Sequence, residues 1–178
     1  MKSILKTTSA AVVAMAVLTN AASAAPAAAP VKWPRSIPYS LALEAAQATL
    51  ECTLAKGFPA SVGVMDFDGQ LKILLVPDGA TLIGQRVLIK KMNATVLRQG
   101  DTAAMVALTT APGVRAEIDT SSNVLERIAP GFAVVSPGAV PLMAGKEFVG
   151  VLGIGGADGP VDTQCPLVGL AKIKDRLN

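Results

Sequence analysis

The chain has 178 residues, carries 16 basic and 13 acidic side chains, and is 51% hydrophobic but only 3% aromatic, with no histidine. The missing histidine excludes catalytic sites of the Ser-His-Asp and Cys-His kinds and argues against zinc held by nitrogen and sulfur. The weak net charge and the few aromatic rings exclude nucleic acid as a partner, and the length predicts a single domain.

Residues 1–24 have the three parts of a secretory signal peptide. Lys2 and Lys6 supply the positive start, residues 10–18 form a short apolar run, and residues 22–24 (Ala-Ser-Ala) have the small side chains that signal peptidase accepts. That run is shorter than the ~20 apolar residues of a membrane-spanning helix. We therefore expect a periplasmic or secreted protein that begins at Ala25 and has no membrane span after cleavage.

The mature chain is expected to begin with a tether. Residues 25–39 are rich in alanine and proline, a composition typical of a disordered linker, and residues 40–178 form the predicted single domain. Export also permits a disulfide between Cys52 and Cys165, which are 113 positions apart. The alternative is a pair of small buried thiols.

The first elements of the domain are a helix and a hairpin. Ser40 is a suitable N-cap for a helix that ends at Gly57. Two β-rich runs, residues 61–67 and 70–76, then flank the dipeptide Asp68-Gly69, which favours a type I′ turn.

A second helix is predicted after Thr81, which can cap it. Its core-facing stripe contains one lysine, Lys90, which either snorkels to the rim or meets a carboxylate or another anion. Asp101 can cap a short third helix, and residues 111–130 are predicted to form a long irregular loop. The residues of the predicted stripe are Ile83, Val87, Lys90, Ala94 and Leu97.

The last third of the chain predicts a second hairpin around residues 144–146, with Val134 and Val135 pairing alongside, and a final helix capped by Asp162 or Thr163. This order of elements indicates an α+β domain with a sheet of about five antiparallel strands and flanking helices. The first and last helices are expected on one face of the sheet, which would bring the two cysteines together.

A glycine cluster at residues 153–159 follows an apolar run, as in a dinucleotide-binding turn. The spacing does not fit, because Asp158 stands where the third glycine of G-x-G-x-x-G belongs and would repel a phosphate. The cluster is better explained by a strand that turns into a helix, where the backbone bends or another element packs closely.

No constellation of residues indicates an enzyme. Three pairs of carboxylates have structural explanations: the first pair flanks a turn, the second is solvated, and the third caps the last helix. The third pair can also hold a hard cation through its oxygens. These pairs are Asp66/Asp68, Glu117/Asp119 and Asp158/Asp162.

Three stretches resemble the GlcG/HbpS-type haem-binding family, also described as haem-degrading GlcG-like proteins. They are LALEAAQATLECTLAKGFPASVGVMDFDGQLK, IKKMNATVL and SPGAVPLMAGKEFVGVLGIGGADGPVDTQCPLVGL, and the likeness runs in the same order from Ser40 to the C-terminus. Ala139, Lys91 and Asn93 depart from the family pattern, and the histidines that bind haem or iron in some members have no counterpart. The resemblance implies a profilin-like or PAS-like fold, a homo-oligomer, and haem or another tetrapyrrole as ligand.

With haem as the ligand, Lys90 or Arg86 is expected to pair with a propionate, and Tyr39 or Met143 to ligate the iron. The glycine corner is expected to wall a shallow pocket through Gly155, Gly156 and Asp158. The predicted function is that of an exported small-ligand-binding protein. The alternatives are a periplasmic enzyme or accessory subunit acting on a small organic acid, and a structural oligomer without a ligand.

Export is testable on the protein recovered from the periplasm of its native host. Its intact mass should correspond to a chain that begins at Ala25 and should lie two hydrogens below that of the dithiol form. Retention of residues 1–24 would contradict export, and thiols that alkylate without denaturant would contradict the bridge.

Overall fold

The computed structural model describes residues 35–108 and 130–177. In these residues an antiparallel sheet of four strands, in the order β2-β1-β4-β3, lies between helices. The signal peptide, most of the tether and the long loop predicted at 111–130 lie outside the described residues, apart from Pro130. The elements in chain order are α1 (Tyr39–Ala55), β1 (Ser61–Asp66), β2 (Leu71–Leu75), α2 (Leu82–Arg98), α3 (Thr102–Leu108), β3 (Ala139–Ala144), β4 (Glu147–Gly155), α4 (Gly159–Ile173) and a 3₁₀ turn (Lys174–Arg176).

The predicted α+β class and antiparallel pairing are confirmed, but the described sheet has four strands where about five were expected. The segment with Val134 and Val135 is not a strand. The Val134 N–H donates to the Lys90 carbonyl of α2 at 3.1 Å, so this segment is tied to the helix instead of the sheet. None of the described helices is long and apolar enough to cross a bilayer.

The first hairpin forms where it was predicted, but its turn is not of type I′. That turn needs a positive φ at both central residues, and only Gly69 has one, at +84°. The Asp66 carboxylate instead accepts the N–H groups of Asp68 and Gln70, at 3.0 and 2.9 Å, and so closes a longer turn.

The two faces of the sheet carry different helices. Along β1, Val62 and Val64 pack into the core under α1 and α4, while Gly63 and Met65 face α2. β4 alternates in the same way, with Leu152 toward α1 and α4 and Gly153 against α2. This period of two places α1 and α4 on one side of the sheet and α2 on the other.

α1 and α4 pack closely and are joined by a disulfide between Cys52 and Cys165, whose Cα atoms are 5.5 Å apart. The predicted adjacency of these two helices is therefore confirmed. The close approach depends on Gly169, because a Cβ there would lie 2.5 Å from the Ala45 carbonyl oxygen. A bridge that closes a loop of this length contributes about 4–5 kcal/mol to stability on the chain-entropy model.

α2 approaches the sheet over a surface of glycines. A Cβ on Gly63 or Gly153 would lie within 2.8 Å of the Met92 side chain. At the start of the helix the contact is between backbones, since a Cβ on Gly155 would lie 2.8 Å from the Leu88 nitrogen and one on Gly84 would lie 2.8 Å from the Gly156 Cα. These glycines are present because another element packs against them.

The core-facing side of α2 differs from the predicted stripe. Ile83 is 72% exposed and Leu97 is 52% exposed, although both were expected to face the core. The buried side is rotated by about one residue, or roughly 100° around the helix axis. It is formed by Gly84, Leu88, Lys91, Met92, Ala94 and Thr95.

The backbone contact of α2 with β4 predicts a large effect of a small substitution. Gly155→Ala should lower the free energy of unfolding by at least about 2 kcal/mol, because the added methyl group meets backbone atoms that no side-chain rotation can move. Urea denaturation measures the change. Gly159→Ala is the matched control, since nothing lies within 4 Å of its Cβ position, and an equal loss in both variants would contradict this explanation.

Candidate ligand-binding residues

The glycine corner between β4 and α4 is occupied by the protein itself. Gly155 is buried beneath the backbone of α2, so that face has no room for a macrocycle. Gly156 is exposed and has a φ of +106°, which turns the chain away from the strand. The Asp158 carboxylate accepts the Val161 N–H at 3.1 Å and caps α4. These residues shape the start of α4, and the structure does not form the expected pocket wall at Gly155.

Arg86 and Lys90 lie along the outer side of α2. They follow Ile83 by three and seven positions, a spacing that places all three on one side of a helix. Leu82 and Ile83 are exposed here, Arg86 is exposed, and Lys90 is half-buried beside Gly131. We call this surface the α2 outer face and define it by Leu82, Ile83, Arg86 and Lys90.

The two residues expected to ligate iron lie in different surroundings. Met143 is partly buried and packs in the core on the α2 side of the sheet, with Met65 and Phe148. Tyr39 is 61% exposed at the start of α1, on the opposite side of the sheet. The sheet therefore separates Tyr39 from Arg86 and Lys90, and one chain cannot apply all three to a single ligand.

A buried ion pair joins α2 to α4 and was not predicted. Lys91 Nζ donates to Asp162 Oδ2, and the two side chains are 3% and 7% exposed. A Cβ on Gly138 would lie 2.9 Å from the Lys91 Nζ, so the lysine passes close to the backbone before β3. Asp162 Oδ1 has no hydrogen-bond partner in the described residues.

The electrostatics of this pair are set by burial. Burial raises the pKa of the Asp162 carboxyl above its ordinary value, while the hydrogen bond and charge of Lys91 act in the opposite direction. The nearby charge of Asp158 raises the same pKa further. Lys91 is thus the group that makes an ionised Asp162 tolerable inside the protein.

The sequence held a signal for this pair. Lys90 of the predicted stripe was expected either to snorkel to the rim or to meet a carboxylate or another anion. The rotation of the helix makes Lys91 the buried lysine and leaves Lys90 at the side. Two acids stand at the start of α4, and only one caps it. Because Asp158 takes the cap, Asp162 is left to face inward. In the described residues, no group of three or more cysteine or acidic side chains could hold a metal ion.

Removal of Lys91 should destabilise the protein in a pH-dependent way. Lys91→Met leaves an uncompensated buried carboxylate and should cost about 3–5 kcal/mol at neutral pH. Because burial raises the pKa of the Asp162 carboxyl in the folded state, protonation of this group stabilises the fold fully at pH values below its ordinary pKa of about 3.9. This stabilisation is lost as the pH rises through the folded-state pKa. The cost should therefore be smaller near pH 4 than near pH 8, as measured by urea denaturation across this range.

The control for this measurement is Lys90→Met, which removes a neighbouring half-buried lysine and should change stability little. The double variant Lys91→Met with Asp162→Leu removes both charges and should recover most of the loss. A pH-independent loss in Lys91→Met, equal to that of the control, would contradict the role of the pair.

Comparison with known proteins agrees with the fold and identifies the family. The family model described as haem-degrading protein HbpS-like matches residues 37–171, and no curated protein matches the chain. A double mutant of Streptomyces reticuli HbpS superposes with a TM-score of 0.64 at 25% identity, covering 82% of this chain and 97% of that one.

Two further structures share the fold at lower identity. The PduOC:haem complex has a TM-score of 0.66 at 18% identity and covers 78% of this chain and 95% of that one. Klebsiella pneumoniae ORFY has a TM-score of 0.68 at 14% identity and covers 81% and 94%. The resemblance found in the sequence is confirmed, and the chain belongs to the HbpS-like family, which the matching model describes as haem-degrading proteins.

Proposed function

We propose that this protein is an exported small-ligand-binding protein and that its ligand is haem or a related tetrapyrrole. The observation that carries the proposal is the family match over residues 37–171, whose description names haem. The similar fold of PduOC, which was solved as a haem complex, supports the same ligand class.

The α2 outer face is the surface that best suits a tetrapyrrole in this proposal. Leu82 and Ile83 offer apolar contact to a flat ring, and they are 61% and 72% exposed. Arg86 and Lys90 supply cations for the two propionates. The rise from Ile83 to Lys90 is about 10 Å along the helix, so the cations lie beside the apolar residues and not beneath them.

The proposed binding mode does not use an iron ligand from this face. The sequence has no histidine, Met143 is packed in the core, and Tyr39 lies across the sheet. The ring is held by apolar contact and the propionates by charge. Iron-free porphyrin should therefore bind as haem does.

We also propose that the protein is a homo-oligomer. Large apolar side chains are exposed on both sides of the sheet, and such residues in number indicate surfaces that are covered in the assembled protein. A second copy over the α2 outer face would shield a bound ring from water on its other side. The exposed residues include Leu82, Ile83, Leu97 and Phe132 in one group and Leu54, Leu167 and Val168 in the other.

The haem proposal is tested by titrating the mature protein with haem and with iron-free protoporphyrin while the Soret band is recorded. Both should give saturable binding, and the variant Arg86→Ala with Lys90→Ala should bind both ligands about tenfold more weakly or worse. Lys146→Ala, at an exposed lysine in the β3–β4 turn, is the charge-matched control and should bind normally. Light scattering on the same samples measures the oligomeric state.

Three results would contradict parts of this proposal. No saturable change with either ligand at micromolar concentrations would overturn tetrapyrrole binding. A shift of the charge-transfer bands in Tyr39→Phe would show that the tyrosine ligates the iron and would contradict the propionate-only mode. A clean monomer with and without ligand would contradict the oligomer.

A further inference from the structure

A concave surface lies on the side of the sheet opposite the α2 outer face, where the two ends of the described chain meet the β3–β4 hairpin. It is a cleft of about 190 Å³, which we call the terminal cleft. Its apolar lining includes Ile37, Ala144, Val149 and Leu177, and two arginines, Arg35 and Arg176, belong to the same lining.

The apolar residues of the cleft are held firmly. The Ile37 N–H donates to the Val149 carbonyl at 2.9 Å, which attaches the segment before α1 to β4. Ile37 is fully buried, and Val149 and Leu177 are buried with it in the core between the sheet and helices α1 and α4. The cleft is therefore built on the core and does not depend on a loose loop.

Arg35 is held in place from outside the cleft. Its backbone N–H and its Nε donate to the two oxygens of Glu147, at 2.9 and 2.7 Å. Its Nη2 lies at a long 3.5 Å from the Ala144 carbonyl, and its Nη1 makes no hydrogen bond within residues 35–108 and 130–177. The guanidinium is thus oriented by one carboxylate and still has N–H groups to donate.

Arg176, the second arginine of the cleft, is arranged in the same way. Its Nη2 donates to Glu44 at 2.7 Å and to the Lys172 carbonyl at 3.1 Å, which leaves Nε and Nη1 without a partner in the described part of the chain. The hydrogen bond from Arg176 holds the pKa of Glu44 below its ordinary value, so the pair is present at neutral pH. Neither Glu44 nor Glu147 lines the cleft, whose lining has two cations and no acid.

We propose that the terminal cleft binds a short-chain aliphatic carboxylate. The acid group would accept N–H groups from Arg35 and Arg176, and the chain would lie on Pro38 and on the exposed edges of Val149 and Leu177. The volume is well below the roughly 300–1,000 Å³ of pockets for larger ligands. That space suits a chain of a few carbons and excludes a tetrapyrrole.

This inference is independent of the tetrapyrrole proposal. The cleft belongs to the side of the sheet that carries α1 and α4, whereas the α2 outer face lies on the other side. The two arginines and the apolar residues of the cleft come from one chain. Loss of haem binding would leave this site intact, and loss of carboxylate binding would leave haem binding intact.

The test uses hexanoate as probe, titrated into the mature protein and followed by calorimetry and by amide chemical shifts. Hexanoate should bind saturably, with shifts centred on Ile37, Val149 and Leu177. Hexanamide, which has the same chain without the charge, should bind about tenfold more weakly or worse, and added salt should weaken hexanoate binding.

Arg176→Gln should reduce hexanoate affinity by about tenfold or more, and Arg35→Gln provides a second variant with the same expected loss. Thermal unfolding checks that each variant is folded, which is expected because both ion pairs are on the surface. Arg98→Gln removes an exposed arginine at the end of α2 and should leave the affinity unchanged.

Five outcomes would overturn the proposal. The first four are the absence of saturable binding, equal binding of hexanamide, shifts centred away from the cleft, and equal losses in Arg176→Gln and Arg98→Gln. Equal affinity for hexanoate and inorganic phosphate would also overturn it, because the site would then recognise any anion and the apolar lining would have no part.

Discussion

The close approach of α2 to the sheet is the constraint on which the rest of the structure depends. The strand positions beneath the helix are glycines at Gly63, Gly153 and Gly155, and the helix itself presents Gly84 to the last of them. At Gly84 the helix lies so close to the strand backbone that this position has no room for a side chain, whereas Leu88 and Met92 fill the space over Gly63 and Gly153. The glycines therefore select which side of α2 is buried, and they turn Ile83 outward although it is among the most apolar residues of the helix.

That orientation has an electrostatic consequence. Once Gly84 faces the strands, Lys91 lies on the buried side of the same helix, two turns further on. A buried ammonium group must be paired, and the first turn of α4 supplies Asp162 from the layer on the opposite side of the sheet. Close packing and ion pairing are thus two effects of one arrangement. The glycine corner, which resembles a phosphate-binding turn in the sequence, connects them: it ends the strand under α2 and starts the helix that carries the carboxylate.

Local signals in the sequence were sufficient for much of the fold and for little of the site. Thr81 caps α2 through the Gly84 N–H as predicted, and Cys52 meets Cys165, because helix adjacency follows from layer rules. The other two predicted caps are wrong: α1 begins at Tyr39, before Ser40, and has no side-chain cap, and Asp158 caps α4 in place of Asp162 or Thr163. The buried side of α2 was predicted wrongly because apolarity favours burial of Ile83 over Gly84. Close contact with the glycines of the sheet favours burial of Gly84 instead. The hairpin turn was missed because Asp66 supplies its carboxylate from outside the Asp-Gly dipeptide. For the site, residue types were informative but their placement was not, since no local pattern shows that Tyr39 and Lys90 lie on opposite sides of the sheet.

The separation of the two faces also separates two kinds of ligand binding. The α2 outer face is a convex helix surface, so a ring placed on it is half in water unless a second copy covers it. Under our proposals, haem affinity and assembly are therefore linked by mass action, and each should strengthen the other as the concentration of the chain rises. The terminal cleft has its lining and both arginines within one chain, so its affinity for a carboxylate should not depend on that concentration. Under these proposals the affinity for haem depends on assembly and the affinity for the carboxylate does not, because the four-stranded sheet separates the two binding surfaces.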